Sequence, residues 1–252
     1  MKISIITATY NSGATISSCM ASVLQQTYPN IEYVIIDGQS KDNTLEVVQA
    51  LKTKHPQANI VVQSEADKGI YDALNKGVAL ASGDVIGFVH SDDVLATTNT
   101  IKNIVAGLSY PNVSGVYGDL QYVTKEDTDK VVRHWQSQDF KPSFLKKGWM
   151  PAHPTLYLKR EVYAKHGGFN LDYKIAADYD FILRVFKDKN YTFKYLPEVI
   201  MKMRTGGASN RSLKNIIIKS KEDYKAVTSN NVGGLWSIFY KNVSKVNQFF
   251  KS

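Results

Sequence analysis

The sequence predicts an α/β fold in which helices flank a mostly parallel sheet. Between Ile3 and Val89, short apolar runs alternate with segments that fit helices, at the spacing of repeated strand–helix units. The apolar runs are continuous, which is typical of parallel strands covered on both faces. Polar residues follow the ends of these runs. Because ligands bind beyond the carboxyl ends of strands in open α/β sheets, these features also predict a site at one edge.

The first half of the chain contains four predicted strands and three predicted helices. The helix over 43–54 is typical, since Leu45, Val48 and Leu51 fall on one face. The segment 85–89 is a short apolar run that ends abruptly on four polar residues. The strands are predicted at 3–8, 31–36, 60–62 and 85–89, and the helices at 16–24, 43–54 and 71–80.

After His90 the regular alternation ends. Helices are predicted at 101–108 and 176–186, and strands at 113–117, 131–135, 155–158, 192–196 and 199–203. Two further helices, over 213–227 and 235–250, are separated by a pair of glycines. We therefore predict one domain over 1–210 and a basic helical extension over 211–252.

Charge and cysteine content narrow the functional classes. The net charge is +8 and the pI is about 9.3, a balance that attracts polyanions. Between Arg204 and Ser252 there are nine Lys or Arg but only two acids. This positive charge is separate from the acidic strand ends, which argues against a nucleic-acid binder.

The single cysteine, Cys19, excludes an internal disulfide and fits a reducing compartment. The apolar run at the N-terminus is shorter than a signal peptide requires. No run approaches the ~20 apolar residues of a membrane-spanning helix. We expect a cytoplasmic protein, soluble or peripheral to a membrane.

Polar clusters follow several predicted strands. These clusters are Thr9-Tyr10-Asn11, Asp37, Asp67 and Asp92-Asp93. One such cluster is explained by turn formation, because Asn, Asp and Ser are common in loops. Several clusters at one edge favour a binding site.

Five motifs in order resemble a known family. They are TATYNSG, IIDGQSKDNT, ADKGIYDALNKGVALASGD, HSDD and AADYDFILR. Over 1–210 the chain resembles the family 2 glycosyltransferases with the GT-A fold, and in particular bacterial enzymes that build O-antigen or capsular polysaccharide. The resemblance implies a nucleotide-binding half at about 1–95 and an acceptor-binding half at about 96–210.

The same resemblance implies a reaction. A sugar would pass with inversion from a nucleotide diphosphate sugar, most simply a UDP-sugar, to a hydroxyl. The acceptor would be a glycan or a polyprenyl-diphosphate-linked glycan, and Mg²⁺ or Mn²⁺ would assist. Such hard cations bind carboxylate and phosphate oxygens.

Donor-binding roles follow from the resemblance. Asp93 would ligate the metal, and Asp92 would accept a hydrogen bond from a ribose hydroxyl. In an extended chain these two side chains would point apart. The alternative for this acidic pair is a helix N-cap. Asp37 would accept the uracil N3 proton, and Asp67 would face the base or ribose. The nucleoside would be lined by Thr7, Thr9, Tyr10 and Asn11.

Two positions depart from the family pattern. Many relatives have Arg before the residue that corresponds to Asn75, a donor-site residue, but here Leu74 precedes it. Cation support for the diphosphate would then come from Lys68, Lys76 or Arg204; for each lysine the alternative is a solvated surface charge. His90 stands where Asp or Asn is commoner, and it is interpreted as a ligand, a sugar contact or a packing residue.

The acceptor side contains a candidate base. In AADYDF, Asp178 and Asp180 lie ~200° apart on a helix, so only one can face the site. In the family pattern an acid pair, often Glu-Asp, precedes the Tyr, and Ala177-Asp178 stands there in this chain, so the resemblance implies that Asp178 is the base. We expect Asp180 to brace the helix or pair with Arg184. His153, in MPAHPT, would touch the diphosphate or acceptor, or make a structural hydrogen bond. The segment RTGGAS, at 204–209, would close over the donor or form an ordinary loop.

Two other functions are alternatives to glycosyl transfer. A nucleotidyltransferase would be expected to carry a glycine-rich phosphate loop after the first strand, which TATYNSG lacks. A non-catalytic nucleotide- or glycan-binding subunit is disfavoured by the presence of both Asp93 and Asp178.

The last helix has an apolar stripe. It comprises Leu235, Phe239, Val243, Val246 and Phe250, with Lys241, Lys245 and Lys251 at its flanks and polar face. Such a stripe commonly packs on its own domain. A basic amphipathic helix also suits an anionic bilayer. The second interpretation predicts peripheral attachment to the inner face of the cytoplasmic membrane.

Overall fold

The computed structural model describes residues 1–206 and 213–246. The second half of the RTGGAS segment, the predicted boundary at 210 and the end of the last predicted helix lie outside the described residues. Within them, no helix is both long and apolar enough to cross a bilayer.

The described strands form one nine-stranded sheet with a parallel half and a mixed half. The parallel half has the order β3 (Asn59–Ser64), β2 (Ile31–Asp37), β1 (Ile3–Thr9), β4 (Val85–Phe88). The mixed half comprises β5 (Val94–Leu95), β6 (Val113–Val123), β7 (Val131–Trp135), β8 (Tyr157–Lys159) and β9 (Thr192–Arg204). Strand β8 joins the halves by pairing antiparallel with β4 and β6.

Helices cover both faces of the sheet. Alternate residues of β1 point to opposite faces, so Ile5 and Ile6 belong to two separate hydrophobic clusters. The helices are α1 (Ile16–Leu24), α2 (Thr44–Lys54), α3 (Ile70–Leu80), α4 (Thr100–Leu108), α5 (Arg160–His166), α6 (Ala177–Phe186), α7 (Leu213–Ser229) and α8 (Leu235–Val246). One cluster includes residues of α1, α2 and α4, and the other includes residues of α3, α5 and α6.

The predicted α/β fold is therefore confirmed, with local differences. The two strands predicted at 192–196 and 199–203 are one strand, β9. Register with β6 shifts there: Tyr195 pairs with Tyr117, and Val199 pairs with Asp119. The extra residues form a bulge around Pro197, where the missing N–H does not interrupt the strand.

Two further differences concern short elements. The strand predicted at 155–158 begins later, at Tyr157, because His153–Thr155 form a short 3-10 helix. A second 3-10 helix, Pro142–Lys147, packs against α8. The sequence did not predict β5 or α5, and each is short.

Candidate active site

The polar loops meet at the carboxyl edge of the parallel strands. Thr9 pairs with Asp37, and Asp37 pairs with Ser64, so these strand ends lie side by side. Thr7 Oγ1 donates a 2.6 Å hydrogen bond to the carbonyl of Val89, which fixes the start of the HSDD turn at the same edge. The hydroxyls of Ser12 and Ser91 lie 2.9 Å apart and join the first loop to that turn.

Tyr10, Gly38 and Asp67 form a small concavity. Tyr10 is 58% exposed, so its ring is available for stacking on a base. A Cβ at Gly38 would lie 2.4 Å from Asp67 Oδ2 and 3.5 Å from the Tyr10 ring, so only glycine fits without displacing its neighbours. Asp67 Oδ1 accepts a 2.8 Å hydrogen bond from the Gly69 N–H. Its Oδ2 faces this concavity.

Other residues predicted to line the nucleoside hold the loops together. Asp37 is fully buried, and its carboxylate accepts hydrogen bonds from the Ser40 N–H (3.1 Å) and the Ser64 hydroxyl (2.7 Å). Asn11, with φ +50°, accepts a 2.8 Å hydrogen bond from the Lys41 N–H. Thr7 is also fully buried. The hydrogen bonds of these three side chains hold the loops in place.

Thr9 differs from these three residues. Its Oγ1 is buried, and no hydrogen-bond partner for it exists among the described residues. A buried hydroxyl without a partner at a strand end is unusual and marks an atom that a ligand can satisfy.

The HSDD segment is a turn and not an extended strand, because the Asp93 N–H donates a 2.9 Å hydrogen bond to the His90 carbonyl. The two aspartates nevertheless have different surroundings. Asp93 is 1% exposed, whereas Asp92 is half-buried. Burial, together with the charge of Asp92, raises the pKa of Asp93 well above its usual range.

Asp93 has one unsatisfied oxygen. Its Oδ1 accepts a 3.2 Å hydrogen bond from the Arg204 N–H, whereas Oδ2 is buried and has no partner in the described part of the chain. A divalent cation would satisfy this oxygen. The described residues contain no group of three or more His, Cys, Asp or Glu that could hold a metal ion. Among the described residues, Asp93 can therefore supply one oxygen ligand to such a cation.

Arg204 organises the acidic turn. Its guanidinium donates to the Asp92 carbonyl at 2.5 Å, to the Ser18 hydroxyl at 3.1 Å and to the Lys125 carbonyl at 3.0 Å. Strand β5 pairs antiparallel with β9 one residue beyond Asp93, so this arginine is held beside the turn by the sheet itself. The structure thus brings Arg204 to the edge that carries the acidic turn, and the contacts of its guanidinium there are with protein groups.

The other residues proposed for the diphosphate lie on or beside α3. Asn75 uses both amide atoms to bind the backbone of Phe169, at 2.7 and 2.8 Å. Lys76 pairs with Glu65 at 2.9 Å, and Lys68 is exposed. Leu74, where many relatives have Arg, is fully buried in the core.

Asp178 presents a carboxylate oxygen at the start of α6. Its Oδ1 accepts a 2.8 Å hydrogen bond from the Tyr179 N–H and lies 3.3 Å from the Tyr71 hydroxyl, which donates to the Ile175 carbonyl at 2.6 Å. No described residue donates to its Oδ2. On the opposite side of α6, Asp180 forms the predicted ion pair with Arg184, at 2.9 Å.

The half-buried His90 and the buried His153 lie near these carboxylates. The ring centroids of His90 and His153 are 6.0 Å apart, and His153 packs between Phe88 and Phe169 at 5.5 and 5.4 Å. Burial lowers the pKa of both rings, that of His153 to about 4, although the charge of Asp178 opposes this effect. Both rings are therefore neutral at pH 7.

The histidines also carry unsatisfied nitrogens. His90 Nδ1 and His153 Nε2 are buried and lack hydrogen-bond partners in the described ranges. Sequence reasoning left both roles open, since HSDD and MPAHPT lie far apart in the chain and no local spacing indicates that the rings meet. The charge of Asp178 acts on both rings and that of Asp92 on His90, so these four side chains lie in one polar region of the structure.

Comparisons with known proteins identify the family and the fold. The family model described as Glycosyl transferase family 2 matches residues 4–169. A PGL/p-HBAD biosynthesis glycosyltransferase of Mycobacterium bovis (strain BCG / Pasteur 1173P2) is 30% identical over 209 residues, which cover 82% of this chain and 78% of that protein. An uncharacterised glycosyltransferase of Mycobacterium tuberculosis (strain CDC 1551 / Oshkosh) is 34% identical over 188 residues, covering 72% and 68%.

Solved structures share the fold. TarS 1–349 of S. aureus in complex with UDP-GlcNAc aligns with a TM-score of 0.69 at 18% identity, over 99% of this chain and 73% of that one. The mannosyltransferase PcManGT of Pyrobaculum calidifontis, in complex with GDP-Man and Mn²⁺, aligns with a TM-score of 0.66 at 19% identity, over 100% and 76%. These similarities confirm the predicted GT-A fold. With the family match and the curated relatives, they establish that the chain belongs to glycosyl transferase family 2.

Proposed function

We propose that this protein is a metal-dependent, inverting transferase in bacterial surface polysaccharide synthesis, of O-antigen or capsule. It moves a sugar from a UDP-sugar to a hydroxyl of a glycan or of a polyprenyl-diphosphate-linked glycan. The observation that carries the proposal is the pair Asp93 and Asp178. Asp93 has a buried oxygen without a hydrogen-bond partner among the described residues, and Asp178 presents a half-buried carboxylate at the start of α6. The rings of His90 and His153, 6.0 Å apart, accompany them.

The donor's nucleoside would bind at the Tyr10–Gly38–Asp67 concavity. The exposed Tyr10 ring offers a stacking surface, and Asp67 Oδ2 offers an acceptor for a base N–H or a ribose hydroxyl. The half-buried Asp92 would accept a ribose hydroxyl. Structures of TarS with UDP-GlcNAc and of PcManGT with GDP-Man support a nucleotide-sugar donor at a fold of this kind.

Asp93 would hold the divalent cation through its unpaired Oδ2. When bound, Mg²⁺ or Mn²⁺ neutralises the diphosphate leaving group. The neutral His90 and His153 would each use a ring nitrogen to bind the diphosphate or the transferred sugar. Arg204 would keep the turn in shape through its three side-chain contacts.

Asp178 would act as the general base. Its Oδ2 takes the proton of the acceptor hydroxyl while the acceptor oxygen forms a bond to the anomeric carbon. The bond between this carbon and the diphosphate oxygen breaks, and the nucleoside diphosphate leaves from the opposite face, which inverts the configuration. A base positioned in this way contributes roughly 10²–10⁴-fold to the rate.

The proposed acceptor determines where the protein would work in the cell. A polyprenyl-diphosphate-linked acceptor is embedded in the membrane by its lipid. A protein that uses it works in the cytoplasm at the inner face of that membrane. The basic helical extension is consistent with this location.

A donor screen tests the proposal. The full chain is incubated with UDP- and GDP-sugars, with and without Mn²⁺, and both the thermal shift and slow donor hydrolysis are measured. We expect a Mn²⁺-dependent shift and hydrolysis with a UDP-sugar. Binding with no hydrolysis of any donor would favour the non-catalytic subunit. No binding of any nucleotide sugar would contradict the proposal.

A further inference from the structure

Helix α8 turns polar residues toward the protein. Ser237 and Lys241 are both buried, and the Ser237 hydroxyl donates a 2.6 Å hydrogen bond to the Lys146 carbonyl. Gly148, with φ +69°, lies so close that a Cβ there would be 2.4 Å from the Ser237 carbonyl oxygen. This side of the helix is therefore committed to the catalytic domain.

Lys241 makes the deepest of these contacts. It forms a 2.8 Å ion pair with Asp223 of α7, and both side chains are 4% exposed. Its ammonium also lies 3.1 Å from the centroid of the Tyr179 ring. Burial lowers the pKa of Lys241 to about 8, an effect that the charge of Asp223 opposes. The lysine expected near a membrane surface is therefore an internal contact.

The opposite side of α8 is apolar and exposed. At 100° per residue the exposed residues span about 140° of the helix surface, directly away from Lys241. Their exposed fractions lie between 45% and 74%. We call this surface the outward face; it comprises Leu235, Trp236, Phe239, Tyr240 and Val243. A contiguous apolar surface of this kind marks an interaction site, and Trp and Tyr are enriched where proteins meet the lipid headgroups.

Exposed lysines lie on the two elements that pack against α8. The two acids of α7 are directed inward: Asp223 pairs with Lys241, and Glu222 accepts hydrogen bonds from the backbone before α6. Among the described side chains, Lys146 and Lys147 are exposed on the neighbouring 3-10 helix, and Lys221 is exposed on α7. Such a distribution complements an anionic surface.

We propose that the outward face of α8 inserts into the interface of an anionic lipid bilayer, with these lysines at the headgroups. The inference rests on the proposed function, which requires access to a lipid-linked acceptor. A second copy of the chain fits less well, because it would bring lysines against lysines. Through the contact between Lys241 and Tyr179, the residue that follows Asp178, the docked helix would hold the candidate site close to the same surface as the acceptor.

Vesicle flotation tests this inference. The full chain is mixed with phosphatidylcholine vesicles, with or without phosphatidylglycerol, at low and high salt. The test variant is Trp236→Ser with Phe239→Ser. The control is Tyr110→Ser with Val132→Ser, which removes two similarly exposed apolar residues outside α7 and α8. We expect the wild type and the control to float with anionic vesicles at low salt, and the test variant to bind at least tenfold more weakly.

Two results would overturn the inference. One is a wild type that does not bind anionic vesicles at low salt; the other is a test variant that binds as well as the control. A concentration-dependent dimer that the test variant abolishes, without vesicle binding, would assign the outward face to a second copy. Donor hydrolysis in solution is measured for all variants. Donor hydrolysis in solution does not require α8 to bind a membrane. If the wild type shows no hydrolysis, the proposed function fails, whatever the result of the flotation experiment.

Discussion

Glu222 of α7 accepts hydrogen bonds of 2.8 and 2.9 Å from the backbone N–H groups of Ile175 and Ala176. Its other carboxylate oxygen accepts a hydrogen bond of 2.8 Å from the backbone N–H of Lys174. These residues immediately precede α6, the helix that carries Asp178. The C-terminal helices therefore support the backbone from which the candidate base projects.

We expect Glu222→Gln to lower both stability and turnover. The amide group would place an N–H against backbone N–H donors, and charge-assisted hydrogen bonds contribute about 1.5–3 kcal/mol. A small displacement of a catalytic group costs up to ~10²-fold in rate. Thermal unfolding and steady-state kinetics measure the two effects, and the KM for the donor should not change. The exposed Glu161→Gln is the control. Reduced stability with a normal kcat would show that the contact is structural only.

Asp178→Asn should fold normally, bind the donor nearly as well and lose roughly 10²–10⁴-fold in turnover. The amide keeps the shape of the carboxylate and loses its basicity. Asp180→Asn, in the same helix, should mainly reduce stability, because Asp180 is buried against Arg184 and Asn230. Donor titration, kinetics and unfolding of both variants distinguish the roles. Near-normal turnover in Asp178→Asn would move the base elsewhere.

Asp93→Asn should abolish the Mn²⁺-dependent part of donor binding. In the absence of metal, the variant should be as stable as the wild type or more stable, because Asp93 is a buried carboxyl group with an unpaired oxygen and burial disfavours its charged form. The thermal shift produced by UDP is compared with Mn²⁺ and with EDTA. Treating the wild type with EDTA should reproduce the loss. An unchanged response to Mn²⁺ in the variant would show that Asp93 is not the ligand.

His153→Phe separates packing from substrate contact. The ring already packs between two phenylalanines, so Phe should preserve or increase the melting temperature. Removing the unpaired Nε2 should reduce turnover, by about tenfold for one lost hydrogen bond of ~1.4 kcal/mol. Kinetics measured alongside unfolding decide between the roles. Unchanged kinetics would assign His153 to packing.

Local patterns in the sequence predicted the parallel half of the fold. Its strands are continuous apolar runs, and its helices have one apolar face. Strand β5 has two residues, Val94 and Leu95, and it exists only because β9 pairs with it from more than a hundred positions away. No local pattern indicates such a pairing.

The same distinction applies to the candidate site. Strand ends predicted which loops would meet. They did not predict which atoms would remain unpaired, because Asp37 is satisfied in part by Ser64 and Asn75 is satisfied by Phe169. The apolar stripe of α8 was recognised, but its direction is set by the distant partners of Ser237 and Lys241.

Glu32 lies at the edge of the sheet opposite the site, and its environment predicts how the free energy of unfolding depends on pH. Burial alone would raise the pKa of Glu32, but hydrogen bonds from Lys2, Ser4 and Ser82 outweigh burial and lower it to about 2. The ion pair with Lys2 is 2.7 Å long. An unfolded glutamate titrates near about 4.3, so the unfolded chain binds more protons than the folded one between these values.

Stability contributed by Glu32 is therefore complete above pH ~5 and is lost as the pH falls toward ~2, by about 3 kcal/mol in total. In Glu32→Gln, stability at neutral pH should be lower, and the slope of the unfolding free energy against pH should be shallower over this range. Urea unfolding at a series of pH values measures both quantities. The exposed Glu126→Gln should retain the wild-type slope. Equal slopes in the two variants would show that Glu32 does not titrate abnormally in the folded protein.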